Sequence, residues 1–100
     1  MVGQLAVSRA GHDRDTLYLI LKEEGNSVYL ADGVLKTYAM PKKKNKKHIQ
    51  LIHSGLTAMQ IEELAGNPAD ADTKIKRCIR LYNERKDVTV KPPAEPLLKD

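Results

Sequence analysis

Apolar and polar positions alternate along the first half of the chain, and the period then changes. Leu5 and Val7 alternate with Ala6 and Ser8, and in residues 16–22 Leu17, Leu19 and Leu21 fall on one face while Tyr18, Ile20 and Lys22 fall on the other. A period of two is that of a strand, because successive side chains point to opposite faces. Gly11-His12-Asp13-Arg14-Asp15 separates these strands as a polar loop, and Glu24-Gly25-Asn26 reads as a tight turn into a third strand over residues 27–31. Asp32-Gly33 has the chemistry of a hairpin turn with positive φ, which predicts a returning strand over residues 34–38, ended by Pro41. A last strand over residues 48–52 brings the predicted count to five. Five short antiparallel strands in about 50 residues predict a small closed barrel, since closure leaves no exposed edge.

Past Gly55 the period becomes that of a helix. Thr57 with Gln60 three residues on forms a capping-box pattern, Ile61 and Leu64 mark an apolar stripe, and Gly66 is the predicted stop. Asn67-Pro68 then reads as a cap and first-turn proline. Ile75, Cys78, Ile79 and Tyr82 follow at i, i+3, i+4 and i+7, opposite Lys74, Lys76, Arg77 and Arg80, which predicts an amphipathic helix with a basic outer face. The fold class is therefore mainly β with C-terminal helices: a barrel over residues 1–53, a helical extension of two short α-helices over 54–86, and a flexible tail over 87–100 carrying Pro92, Pro93 and Pro96.

Composition narrows the function. One hundred residues make one small domain with an appendage and leave no room for a large enzyme with a deep, walled active site. Residues 17–21 are the longest apolar run, whereas a membrane helix needs about 20 residues, and the first residues lack the apolar region of a signal peptide, so a cytoplasmic protein with no membrane partner is expected. The single cysteine, Cys78, excludes an internal disulfide and sits on the apolar stripe as a packing residue. His48 and His53 are five apart, which suits neither one helical face nor alternate strand positions, and no metal site is expected. Nothing converges as a catalytic group, Asp13 and Asp15 read as turn formers, and no enzyme or cofactor is expected.

Charge points elsewhere. Lys and Arg number 17 against 13 Asp and Glu, and the excess lies in the first half, most sharply over residues 36–48, where Lys36, Lys42, Lys43, Lys44, Lys46 and Lys47 occur without an acidic residue. Closely spaced lysines in a small domain form an electrostatic footprint for nucleic acid, whose phosphates bind by releasing counterions. Gly11 permits an unusual φ, and Arg9, His12 and Arg14 bring donors to the same loop. Tyr18, Tyr29 and Tyr38 have the faces to stack on bases, but in a chain without Phe or Trp at least two of them are needed for packing.

Gly3, Val7, Gly11, Asp13 and Arg14, with alternating Leu17 to Leu21 and the later Ala31-Asp32-Gly33, resemble the KOW motif. Lys42-Lys43-Lys44-Asn45-Lys46-Lys47-His48 resembles the basic segment and His-containing final strand of the large-subunit ribosomal protein fourteen-e family. The resemblance covers about residues 2–52 and implies an SH3-like barrel that touches RNA, with ribosomal RNA or a ribosome assembly particle as partner. Its implied contacts are Arg9, Gly11, His12, Arg14, Lys42, Lys43, Lys44, Lys46, Lys47 and His48. That family has glycine where this chain has Asp15, in a turn that calls for positive φ; the carboxylate weakens phosphate contact there and shifts weight to the lysine segment. About five neutralised phosphates would give a salt slope near −4. The alternative is an SH3-like protein-interaction module tied to transcription or translation machinery, docking through Ile75, Cys78, Ile79 and Tyr82 if that stripe does not pack on the barrel.

Overall fold

A computed structural model describes the backbone of residues 1–90 and the side chains of residues 1–85. Strands β1 (Gln4–Ser8), β2 (Leu17–Glu24), β3 (Ser27–Ala31), β4 (Lys42–Asn45) and β5 (Ile49–Gly55) form one antiparallel sheet in the order β4-β3-β2-β1-β5. A 3₁₀ turn, Lys46–His48, joins β4 to β5. Helix α1 (Ala58–Gly66), a second 3₁₀ turn (Pro68–Asp70) and helix α2 (Ala71–Val90) follow.

The alternation in β2 splits the core in two. Leu19, with partly buried Leu17 and Leu21, joins Leu5, Ala31, Leu64, Ala71 and Ile75 in the layer between sheet and helices. Tyr18 and Ile20 join Ala6, Val28 and Leu30 on the other face. The shift in register between Ile20 and Lys22 bends β2, as a bulge does, and lets one strand serve both layers.

The sheet curls but does not close. A flat five-stranded sheet would hold its edges about 19 Å apart at about 4.8 Å per strand, yet only residues 46–48 connect Asn45 of β4 to Ile49 of β5, a path of at most about 14 Å. The edges must therefore approach. The closed barrel expected from sequence is corrected in one respect: no ladder joins β4 to β5. The amide of Lys46 instead donates to the Asn26 carbonyl at 2.8 Å and that of Arg9 to the His48 carbonyl at 2.7 Å, while β4 turns side chains, rather than backbone, onto the β1–β2 loop.

The fourth strand also differs. Residues 34–38 are not a strand, and the lysine run supplies β4. Backbone groups after Ala31 find side-chain partners in place of a ladder: Asp32 Oδ1 accepts from the amides of Val34 (2.9 Å) and Lys36 (3.0 Å), and Thr37 Oγ1 accepts from Met40 (3.1 Å). The Tyr38 amide donates to Asp72 Oδ1 on α2 at 2.7 Å. Asp32-Gly33 thus opens a loop fastened to α2, not a hairpin.

The helical extension begins as predicted. Thr57 Oγ1 accepts from the Gln60 amide at 3.2 Å, Gln60 Oε1 accepts from the Thr57 amide at 2.9 Å, and α1 ends at Gly66. Asn67 makes no side-chain cap. Helix α2 is longer than the short helix expected, running through Val90 into the span assigned to the tail, and β5 runs to Gly55, two residues past the expected barrel boundary. The tail prolines lie outside the described residues.

The stripe on α2 packs on the sheet. Ile75 is fully buried, and Cys78, Ile79 and Tyr82 are partly buried against the same cluster. Ile79→Asp is expected to lower unfolding free energy by about 2–3 kcal/mol, as burial of an unpaired charge does. Urea denaturation checks this, and an unchanged midpoint would mean that the stripe is not core.

Candidate nucleic-acid interface

The loop between β1 and β2 is set by its own backbone and by one carboxylate. Gly11 has φ 86° and Asp15 has φ 73°, so both adopt the left-handed conformation that the turn was expected to need. The amides of Arg14, Asp15 and Thr16 donate to the carbonyls of Gly11, Ser8 and Asp13 at 3.3, 2.8 and 2.9 Å, so these three are already committed within the turn.

Asp13 is the centre of the site. Its Oδ1 accepts from Ser8 Oγ at 2.9 Å and Lys44 Nζ at 2.7 Å, and its Oδ2 accepts from Tyr18 OH at 2.8 Å and Lys42 Nζ at 2.9 Å. Lys44 Nζ also donates to the Ala10 carbonyl at 2.9 Å. The Asp13 side chain is 13% exposed and that of Lys44 only 9%. Burial alone would raise the Asp13 carboxyl, but hydrogen bonds from Lys44, Lys42, Tyr18 and Ser8 outweigh it and hold the group well below the usual carboxylate range. Burial, then the Asp13 hydrogen bond, pushes the Tyr18 phenol well above its ordinary value.

This arrangement redistributes the lysine segment. Alternation along β4 sends Lys42 and Lys44 inward to Asp13 and leaves Lys43 exposed. Lys46 pairs with Glu23, whose carboxyl it lowers. Of the five lysines read as one footprint, three hold ion pairs within the fold. Lys43 and Lys47 are exposed, as are Arg9, His12 and Arg14. Arg9, Arg14, Lys43 and Lys47 form no ion pair with a described residue. His48 is half-buried and accepts the Arg9 amide through its carbonyl, which places the 3₁₀ turn beside the loop. The two basic segments, more than 30 residues apart in sequence, therefore share one end of the sheet.

Asp13, read from sequence as a turn former, is the residue whose role was missed. The signal was present in Lys42 and Lys44, which a strand places on one face opposite a loop with an acidic residue. Among the tyrosines, Tyr18 is buried and Tyr38 partly so, as packing required. Cys78 is half-buried, and burial raises its thiol. Among the described residues no group of three or more His, Cys, Asp or Glu is placed to hold a metal ion, and no helix is long and apolar enough to cross a membrane. No protein-family model matches the chain, and no curated protein does.

Proposed function

We propose that this chain is a non-catalytic RNA-binding protein of the cytoplasm, with a KOW-type, SH3-like barrel, that binds large-subunit ribosomal RNA or a ribosome assembly particle. The observation that carries the reading is the Asp13 carboxylate, which draws Lys42 and Lys44 of β4 onto the β1–β2 loop and so sets Arg9, His12 and Arg14 beside Lys47 and His48. The strand order and a sheet curled until three residues span its edges fit an SH3-like barrel. Around the loop and the lysine segment seven Lys and Arg outnumber the acidic residues Asp13, Asp15, Glu23 and Glu24, and the cations without an ion pair are those available to phosphate. Asp13, Lys42 and Lys44 are positioning residues in this scheme. Docking of a protein partner through the apolar stripe of α2 would require that helix to leave the sheet, because Ile75 is fully buried there.

With Arg9, Arg14, Lys43 and Lys47 on phosphates, about four counterion sites give a salt slope of about −3, and raising salt from about 50 to 200 mM is expected to cost roughly a hundredfold in affinity. Fluorescence anisotropy with a labelled fragment of large-subunit RNA measures this. Affinity that does not change with salt would contradict the reading. Sedimentation of the tagged protein with large-subunit particles, lost in an Arg9→Glu, Arg14→Glu, Lys47→Glu variant that remains folded, would support the ribosomal partner; a protein that stays at the top of the gradient would count against it.

A further inference from the structure

On the face of β3 opposite Val28 and Leu30, Tyr29 stands in a row across three strands. Its backbone register sets it beside Lys22 of β2 on one side and Lys43 of β4 on the other. Both ammonium groups lie over the tyrosine ring, Lys22 Nζ at 5.4 Å and Lys43 Nζ at 5.9 Å from its centroid, and the phenol donates to Glu24 Oε1 at 2.9 Å. The helices pack on this sheet face at Ala31, two residues along β3, but Tyr29 belongs to neither core cluster. An aromatic ring only partly buried, held by a hydrogen bond at its tip and flanked by two cations, is a surface on which a base can stack while its phosphates meet ammonium groups.

We propose that the Lys22–Tyr29–Lys43 row binds one unpaired nucleotide, its base stacked on the Tyr29 ring and its flanking phosphates held by Lys22 and Lys43. The inference rests on the RNA-binding reading and specifies its substrate: RNA with a single-stranded segment next to the basic loop surface, not a plain duplex. Stacking of a base on a partly exposed aromatic outweighs an exposed cation–π contact, so exchange of an ammonium for a base is favourable and frees the lysine for phosphate. Lys43 connects the row to the site already described, since it lies on the strand whose neighbouring lysines fasten the β1–β2 loop. A base in a duplex is already stacked on both faces and gains nothing from the ring.

The chain contains no tryptophan, so Tyr29→Trp introduces a single tryptophan, excited apart from the remaining tyrosines, at the site. With a single-stranded RNA of about ten nucleotides, its emission is expected to fall by about half or more, and to change little with a duplex of the same strand length. Tyr29→Leu is expected to weaken single-strand binding about tenfold and duplex binding by less than about twofold, whereas Tyr29→Phe, which keeps the ring and loses the bond to Glu24, should bind as the parent does. Thermal unfolding of each variant verifies that it is folded. Binding of single-stranded RNA without quenching, or equal weakening of both RNAs by Tyr29→Leu, would overturn the base site and leave RNA binding through the loop intact. Failure of the parent chain to bind either RNA would overturn the site and the proposed function together.

Discussion

Asp13→Ala is expected to lower the unfolding free energy by about 3–5 kcal/mol, the cost of removing one partner from a buried ion pair. The loss is large because four donors converge on one carboxylate: Lys44, which is 9% exposed, together with Lys42, Tyr18 and Ser8. Asp13→Asn keeps the shape but leaves two ammonium groups without a counter-charge and should retain only a small part of the stability. Urea denaturation followed by circular dichroism measures both, and a loss below about 1 kcal/mol for the alanine variant would mean that solvent replaces the network at little cost. The same network sets the pH response. Because the folded chain holds the Asp13 carboxyl low, the unfolded chain takes up the proton first. Its stabilisation is complete above the unfolded value of about 4 and is lost as pH falls through that value toward the folded one. Asp13→Asn should remove that part of the acid dependence. At the alkaline end the sign reverses: the raised Tyr18 phenol contributes fully below about pH 10 and loses its contribution as pH rises beyond it.

Gly33→Ala is expected to cost about 3 kcal/mol, from two sources. Gly33 has φ 83°, which strains a residue with a Cβ, and a Cβ there would stand 2.6 Å from the Asp72 carbonyl oxygen and 2.8 Å from Lys76 Cγ on α2. The helix would have to retreat, and with it the Asp72 carboxylate that accepts the Tyr38 amide. Gly25→Ala is the control: its φ is 58°, but nothing lies within 4 Å of the added carbon, so only the backbone cost of about 1 kcal/mol remains. If both substitutions cost the same in urea denaturation, the close approach of α2 contributes nothing.

The parts of the fold legible in sequence are those whose signal is local. The alternation of Leu17 to Leu21 placed each side chain on the face where it packs, Thr57 and Gln60 formed their capping box, and Ile75 to Tyr82 marked the face of α2 that meets the sheet. Asp15 adopts the positive φ that its turn requires. The misplaced fourth strand has a physical reason. In Lys42-Lys43-Lys44 every position is the same residue, so the period of two is invisible, and lysine does not favour a strand. The segment is a strand because its backbone pairs with β3, with Lys42 and Lys44 also held by a carboxylate of the β1–β2 loop, 31 residues away along the chain from Lys44, and no local pattern records these distant partners. Conversely, residues 34–38 were expected as the returning strand of a hairpin opened by Asp32-Gly33, but Asp32 accepts from the amides of Val34 and Lys36, and Asp72 from that of Tyr38. The same distant pair divides the candidate site: a run of five lysines read as equivalent contains two that organise the loop, one that pairs with Glu23, and two that face solvent.

The open edge of the sheet bears on chains whose β4 lysines are altered. β4 pairs with β3 along one side only, and its other side presents backbone groups on which a second copy of the chain could add its own strand. Two such edges brought together would align Lys42, Lys43 and Lys44 with their counterparts, and repulsion between like charges opposes that union. The lysines thereby guard against self-association as well as shaping the loop. Neutralising them removes that protection, so charge-altered chains that lose RNA should also be weighed by light scattering, to separate a vanished contact from a surface hidden in aggregates.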